Sequence, residues 1–275
     1  MDLNTIKEVA RPQKREQLPV WTAGDAWLAG GTWLFSEPQV HLRRLIDLTD
    51  LKWPALSIGD TALTIAATCT VAQLDAFACP PEWLAAPLID RCCRAFLASF
   101  KIWKTATVGG NLCMSLPAGP MISLTAALDG VCTIWKRDGG EQRIKIADFV
   151  TGDQRNVLAA GELLRQIDIP LAALKRRSAF RQISLTPLGR SAALLIGSIS
   201  SEGIMALTVT ASTARPVQIS FAGIPRAEDL REALLHRIPD GLYHNDVHGK
   251  PTWRKHMTLR LAEEIRCELQ GPARS

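Results

Sequence analysis

The feature that most restricts the fold of this chain is a run of 24 residues, 105–128, without a charged side chain. A run of this length raises the possibility of a transmembrane helix, which needs about 20 mostly apolar residues with every backbone hydrogen bond made inside the helix. Glycine or proline interrupts the run at positions 109, 110, 117, 119 and 120. We therefore expect a buried loop followed by a buried helix over Met121–Leu128, which together suit the floor of a large ligand site.

Composition is typical of a soluble globular protein. The 275 residues are 47% hydrophobic and 21% charged, which is sufficient for one large domain or two smaller ones. The net charge of +5 is small and dispersed along the chain, so nucleic-acid binding is not indicated.

The seven cysteines are irregularly spaced. A secreted disulfide framework uses an even and denser set, and zinc or iron–sulfur sites use Cys-x-x-Cys pairs, which this sequence lacks. We therefore expect reduced thiols, most of them packed as small apolar groups. The first twenty residues carry charges throughout and no apolar core of a secretory signal, so the predicted location is the cytoplasm.

Apolar runs bounded by turn residues predict a mixture of strands and helices. Helices are expected over 82–100, 121–128, 227–238 and 252–269. Strands are expected over 20–21, 27–29, 45–51, 56–58, 63–68, 131–136, 143–146, 163–169, 179–185, 192–200 and 205–210. Composition shifts at Lys175-Arg176-Arg177, and we expect a domain boundary at 171–177.

Two paired-glycine turns are candidates for ligand binding. The first is Leu28-Ala29-Gly30-Gly31-Thr32, and the second, about 80 residues later, is Ala106-Thr107-Val108-Gly109-Gly110-Asn111. Paired glycines let backbone N–H groups approach a bulky anion, although a lone pair is more often a plain tight turn. Neither has the spacing of a Rossmann motif or a P-loop. Taken together, they suit the two phosphates of one dinucleotide.

These turns and several further segments carry a resemblance to a known family. The segments are Ala29–Leu34, Ala106–Leu112, Pro117-Ala118-Gly119 with Leu124–Asp129, Glu162–Pro170, Ser178–Gln182, Asp246–Gly249 and Trp253–His256. In this respect the chain resembles the FAD-binding subunits of the molybdenum hydroxylases, the family of xanthine dehydrogenase, aldehyde oxidase and carbon monoxide dehydrogenase. The resemblance covers about residues 10–270.

The resemblance implies an α+β fold with two domains. Residues 1–172 would form a two-lobed FAD-binding domain of the PCMH type, split near 52–56, and residues 173–275 a small α+β domain of the CO dehydrogenase flavoprotein type. FAD would extend between the lobes, with its pyrophosphate on the glycine turns and its isoalloxazine under the C-terminal domain. The implied FAD contacts are Leu28, Ala29, Gly30, Gly31, Thr32, Trp33, Leu34, Thr107, Gly109, Gly110, Asn111, Met114, Leu164 and Arg181.

The resemblance also implies partner subunits. A large subunit with a molybdenum–pterin centre would oxidise the organic substrate, and a small subunit with two [2Fe-2S] clusters would pass electrons through FAD to NAD or another acceptor. This chain would be the flavoprotein of such a cytoplasmic heterotrimer, an oxidoreductase component with no catalytic residue or metal of its own.

The chain departs from the family pattern at Trp33, at Pro120 and at Ile102-Trp103-Lys104, which stands where the family usually has I-R-N. Trp33 stands where an acidic or polar residue is common, and Pro120 replaces the Asp that usually follows Pro-Ala-Gly. These departures keep a second interpretation open, in which the chain is a scaffold subunit with a degenerate flavin site. A third interpretation, a stand-alone FAD oxidoreductase, finds no catalytic base in this sequence.

His244 and His248 are four residues apart with Asp246 between them, which would suit a metal site on a helix. The nearby Gly241 and Gly249 predict a loop instead, and no metal site is expected. The eight tryptophans are scattered and are expected mainly in cores and interfaces.

Overall fold

The structure of the chain is a computed structural model that describes residues 3–271. They form three β-sheets and a two-stranded ribbon with helices packed around them, which confirms the predicted α+β class. The strands are β1 (Glu8–Ala10), β2 (Asp25–Leu28), β3 (Arg44–Asp47), β4 (Leu56–Ile58), β5 (Ala62–Ala66), β6 (Val131–Trp135), β7 (Glu141–Lys145), β8 (Val150–Gly152), β9 (Arg155–Asn156), β10 (Leu163–Pro170), β11 (Arg177–Ile183), β12 (Ala193–Ile199), β13 (Met205–Thr210) and β14 (Val217–Phe221). The α-helices are α1 (Val71–Asp75), α2 (Pro87–Ala95), α3 (Phe100–Trp103), α4 (Val108–Met114), α5 (Pro120–Ala127), α6 (Ile146–Phe149), α7 (Leu171–Leu174), α8 (Ala227–Arg237) and α9 (Pro251–Gln270).

The first sheet is small and parallel. Its middle strand, β3, pairs with β1 on one side and with β2 on the other. The buried carboxylate of Asp25 accepts hydrogen bonds from Arg44 Nε at 2.9 Å, from Arg44 Nη2 at 2.6 Å and from the Thr22 N–H at 2.7 Å. This bonding fixes the start of β2, which ends directly before the first glycine pair.

The second sheet is antiparallel, with the strand order β4-β5-β10-β6-β7. Leu63 and Ile65 of β5 and Ile167 and Ile169 of β10 are buried, because alternate residues of a strand share one face. They join the main hydrophobic core together with residues of α2, α4 and α5.

The third sheet is an antiparallel meander, β11-β12-β13-β14. Successive side chains of β12 point to opposite faces of the sheet and therefore belong to two different cores. Leu194 and Ile196 join the main core with α5, whereas Ala193 and Leu195 join a second core with α8 and α9. The third sheet is therefore covered on both faces.

Helix α5 lies between the second and third sheets, and all eight of its residues are buried. The hydroxyls of Ser123 and Thr210 are 2.7 Å apart and join the helix to β13. Gln218 Nε2 of β14 donates to the Ala126 carbonyl at 2.6 Å. The uncharged run thus contains the predicted buried helix, which begins one residue earlier, at Pro120. No helix among residues 3–271 combines the length and apolar character needed to cross a bilayer.

Several sequence-based boundaries were wrong. The helix expected over 82–100 is limited to α2 with a separate turn of helix at α3, because Pro87 takes the first helical position, where a missing N–H is tolerated. The strand expected over 45–51 ends at Asp47 and continues as a 3₁₀ turn. Residues 20–21 form no strand, and β14 was not predicted.

Candidate functional site

The first glycine pair forms a tight turn that packs against the second glycine motif. A Cβ on Gly30 would lie 1.7 Å from the carbonyl oxygen of Thr105, so a side chain has no room here. Gly31 has φ +68°, a left-handed conformation that glycine adopts without strain. Its carbonyl accepts the Phe35 N–H at 2.8 Å, which closes the turn.

The second glycine pair lies in α4 and not in a turn, which corrects the expectation from sequence. Thr107 is the N-cap residue, and its hydroxyl oxygen accepts the Gly110 N–H at 3.0 Å. The N–H groups of Val108 and Gly109 donate at 2.8 and 3.0 Å to carbonyls of the segment after β5. A Cβ on Gly109 would lie 2.5 Å from that of Ala67. These N–H groups are therefore already used inside the protein, and Gly109 serves close packing.

A cavity of about 720 Å³ opens beside both motifs. Its volume lies within the range of small-molecule and cofactor sites, roughly 300–1,000 Å³. Ten of the fourteen predicted residues line it, namely Ala29, Gly30, Gly31, Thr32, Trp33, Leu34, Thr107, Gly110, Asn111 and Met114. The structure therefore brings the two glycine motifs together at one cavity.

The backbone N–H groups of residues 30–34 are hydrogen-bond donors without an acceptor among residues 3–271. The five residues are consecutive, and all of them line the cavity. Successive N–H groups in a turn form a concave site for an anion. This row of donors is the polar feature of the cavity that most clearly indicates a ligand.

Asn111 and Pro120 shape the cavity wall where α4 meets α5. The Asn111 Oδ1 atom accepts the Met121 N–H at 3.1 Å, which leaves its Nδ2 group without an acceptor in the described part of the chain. Pro120 is the first residue of α5 and also lines the cavity. Its missing N–H costs nothing at that position, so this departure from the family pattern has a structural use.

Four predicted residues lie away from the cavity wall. Leu28 ends β2, Gly109 is buried within α4, and Leu164 is buried in β10, where it pairs with Ile134 of β6. Gly109 and Leu164 pack inside the protein and Leu28 is half-buried, so none of the three lines the cavity.

Arg181 is the fourth predicted residue that does not line the cavity. Its partner across the sheet is Leu195, which belongs to the core on the α9 side. The guanidinium accordingly pairs with Glu264 at 3.0 Å and Glu268 at 2.7 Å, both on α9. Neither the arginine nor its two carboxylate partners line the cavity.

Several residues of the cavity wall were not predicted from the sequence. Phe96, Leu97 and Ile102 contribute apolar surface from the segment between α2 and α4. Leu188, Arg190 and His248 line the cavity from the C-terminal part of the chain. The Pro and Gly of the turn Thr186-Pro187-Leu188-Gly189-Arg190 signalled a loop, but no sequence motif indicated that it reaches the site.

The cysteine and histidine candidates provide no reactive centre. Cys113 lines the cavity, but burial raises the pKa of its thiol to about 12, so it stays protonated at neutral pH. His244 and His248 lie in a loop, as expected. Within residues 3–271 no group of three or more His, Cys, Asp or Glu side chains is placed to hold a metal ion.

Comparison with known proteins identifies the family. The family described as "FAD binding domain in molybdopterin dehydrogenase" matches residues 8–172, which is more than half of the chain. The chain belongs to this family. Family membership makes it a flavoprotein component of an oxidoreductase and makes FAD its cofactor. No curated protein sequence matches the chain.

Solved structures share the fold over nearly the full length. Quinoline 2-oxidoreductase from Pseudomonas putida 86 superposes with a TM-score of 0.79 at 18% identity, over 98% of each chain. The Cu,Mo-CO dehydrogenase gives 0.77 at 18% identity, over 94% of this chain and 97% of that one. Reconstituted CO dehydrogenase from Oligotropha carboxidovorans gives 0.76 at 19% identity, over 97% and 99%. The fold shared with these structures thus includes the C-terminal sheet.

The cavity fits the family's cofactor on structural grounds. FAD combines two large apolar ring systems with a pyrophosphate that carries negative charge. The cavity combines a largely apolar wall with the five unpartnered N–H groups of residues 30–34. Its volume of about 720 Å³ accommodates a dinucleotide.

Proposed function

We propose that this chain is the FAD-binding electron-transfer subunit of a molybdenum hydroxylase-type dehydrogenase complex, in which electrons pass from the [2Fe-2S] clusters of a partner subunit to NAD or another acceptor. Family membership supports the cofactor. The observation that carries the proposal to this chain is the row of unpartnered N–H groups at 30–34 beside the cavity. Bound FAD supplies the electron-accepting and electron-donating chemistry, and the chain supplies binding, orientation and electrostatics.

The proposed roles of the site residues follow from their positions. The N–H groups of residues 30–34 bind the pyrophosphate, whereas Asn111 offers its free Nδ2 group to a polar part of the cofactor. Thr107 holds the start of α4, and Gly110 and Met114 complete the wall. Leu28, Gly109 and Leu164 support the site from behind and do not contact the ligand.

We also propose the division into residues 1–172 and 173–275. The family match ends at 172, and β11 of the third sheet begins at Arg177, which supports a boundary there. A split of the first part near 52–56 is supported by the change from the parallel sheet, whose last strand ends at Asp47, to the antiparallel sheet, whose first strand begins at Leu56.

The proposed assembly is a cytoplasmic heterotrimer with a large molybdenum–pterin subunit and a small [2Fe-2S] subunit. Support comes from the similar structures, which include a Cu,Mo-CO dehydrogenase and a carbon monoxide dehydrogenase from Hydrogenophaga pseudoflava in a form that lacks the Mo-pyranopterin moiety of its molybdenum cofactor. Residues 3–271 contain no cluster of three or more His, Cys, Asp or Glu side chains that could hold a metal ion. In this proposal the metal centres lie in the partner subunits.

The direct test is the visible absorption spectrum of the purified full chain, followed by acid release and chromatography of any chromophore. We expect flavin bands and one FAD per chain, or uptake of added FAD to that ratio. A colourless chain that takes up no FAD yet co-purifies with an iron–sulfur subunit would support the scaffold interpretation instead. Turnover of an organic substrate by the chain alone would support a stand-alone oxidoreductase.

A further inference from the structure

Arg190 is the residue in the wall of the large cavity that carries a permanent charge. Within residues 3–271 its guanidinium has neither a carboxylate within ion-pair distance nor a hydrogen-bond acceptor. Arg254 provides a contrast in the neighbouring smaller cavity. Its guanidinium is buried and donates to the carbonyls of Gly249, Ala192 and Ala211 and to the Asp246 carboxylate. Arg190 is therefore available to a ligand, whereas Arg254 is not.

The loop between β11 and β12 places Arg190 at the cavity. Gln182 Nε2 donates to Ser191 Oγ at 2.9 Å across the base of the loop. The Gly189 N–H donates to the Thr186 carbonyl at 2.9 Å and forms a turn before the arginine. Leu188, at the tip, lines the cavity although it is 86% exposed. A ligand that drew this loop inward would bury apolar surface in addition to satisfying the arginine.

His248 adds a second polar group on the same side. Both His248 and Arg190 line the large cavity and an adjoining one of about 250 Å³. The His248 backbone N–H donates to Asp246 at 2.8 Å, while its ring has no hydrogen-bond partner among residues 3–271. The C-terminal part of the chain therefore brings a free cation and a free imidazole to the wall of the cavity.

An unpaired cation and a row of unpaired N–H donors thus border one cavity from two different parts of the chain. Both are satisfied by an anion, and charge-assisted hydrogen bonds to phosphate oxygens are among the stronger polar contacts in proteins. We propose that Arg190 pairs with the FAD pyrophosphate, to which the N–H groups of residues 30–34 also donate, and that this contact holds the 184–191 loop against the cavity. This inference rests on the function proposed above and adds a binding residue from outside the family-matched segment.

The test uses the full chain and four proteins: wild type, Arg190→Gln, Arg190→Lys and the control Arg231→Gln. Arg231 is an exposed arginine on α8 that does not line the cavity. Flavin fluorescence gives the Kd for FAD at several KCl concentrations, and hydrogen exchange of residues 184–191 is measured with and without FAD. Arg190 is exposed, so its replacement is expected to leave folding intact, which far-UV circular dichroism checks.

We expect Arg190→Gln to weaken FAD binding roughly fivefold to tenfold and to reduce its salt dependence, because one charge-assisted contact at a partly exposed site is lost. Arg190→Lys should recover part of the affinity, and Arg231→Gln should match the wild type. FAD should slow exchange of residues 184–191 in the wild type and not in Arg190→Gln. A wild-type Kd and salt dependence in Arg190→Gln, or an unprotected loop in the wild type with FAD bound, would overturn the inference alone. A wild-type chain that binds no FAD would overturn the proposed function as well.

Discussion

At Gly30 the protein backbone, and not a ligand, excludes a side chain. Because a Cβ at this position would lie 1.7 Å from the Thr105 carbonyl oxygen, any substitution must move one glycine motif relative to the other. The first glycine of this motif therefore serves close packing, whereas its N–H groups are the ones proposed to bind an anion.

Gly30→Ala is expected to displace the turn of residues 30–34, to destabilise the fold by about 2 kcal/mol through overpacking, and to lower the flavin content of the purified chain. Gly223→Ala is the matched control, because a Cβ there meets open space at an ordinary φ. Chemical denaturation and the ratio of flavin to protein absorbance measure the two effects. Full flavin content in Gly30→Ala would contradict the role given to this turn.

Asp25 gives a pH-dependent contribution to stability. The hydrogen bonds from Arg44 are the main cause that lowers the pKa of the buried Asp25 carboxyl below its ordinary value. A carboxyl with a lowered pKa in the folded state stabilises the fold at pH values above the unfolded pKa of about 3.9, and this stabilisation is lost as the pH falls through the folded pKa.

Asp25→Asn should therefore cost about 2 kcal/mol at pH 7, and the difference from wild type should shrink as the pH falls below about 4. Urea unfolding at pH 7 and at pH 3 measures it. The exposed Asp60, which makes no ion pair with residues 3–271, provides the control Asp60→Asn. A difference between Asp25→Asn and wild type that is the same at both pH values would show that charge is not the cause.

At the scale of elements, the helices expected over 227–238 and 252–269 form as α8 and α9, with ends that differ by at most one residue. The short strands expected around two tight turns form as well. The Gly59-Asp60-Thr61 and Asp138-Gly139-Gly140 turns mark the hairpins β4–β5 and β6–β7, and both form. The helix expected over 82–100 is limited by Pro87 and by its end at Ala95. Apolar residues at helical spacing indicate which face of a helix is buried. The residues at which the helix begins and ends depend instead on which terminal N–H and C=O groups form hydrogen bonds.

Helix α9 is joined to the site by one buried side chain. Arg254 donates to carbonyls at the start of β12 and after β13 and to the loop that carries His248. A lysine has a single ammonium group and cannot reach this spread of acceptors. We expect Arg254→Lys to destabilise the fold by about 3 kcal/mol, since buried acceptors lose their donors.

Thermal denaturation of Arg254→Lys measures this loss. The control is Arg260→Lys on the same helix, where the arginine is exposed and pairs with Glu264, and a shift within about 0.5 kcal/mol is expected there. Equal shifts in the two variants would contradict the role assigned to Arg254.

At the scale of the whole molecule, the two parts of the chain share a core. Leu194, Ile196 and Ala211 of the C-terminal part belong to the same hydrophobic cluster as α5 and the second sheet. Separating the parts would expose this surface to water, at an unfavourable free energy proportional to its apolar area. Residues 8–172 and the third sheet are therefore expected to unfold together.

Differential scanning calorimetry of the full chain should show one unfolding transition, which FAD moves to higher temperature. At a free FAD concentration 100 times Kd, the added stability is about 2.7 kcal/mol. Two transitions, of which FAD shifts only one, would show that the shared core does not couple the parts.

The sequence by itself determined the fold class, the buried helix of the uncharged run, most strands, and the ten cavity-lining residues among those predicted, because turn glycines, apolar periodicity and the family motifs are local signals. It did not determine that Gly109 lies inside a helix or that Arg181 faces α9, which depends on the register that sets Arg181 opposite Leu195. Nor did it indicate that Arg190 and His248 reach the cavity. Only the packing of the third sheet against α5 decides this. Contacts between residues far apart in the chain produce no recognisable sequence pattern in either of the two contacting segments.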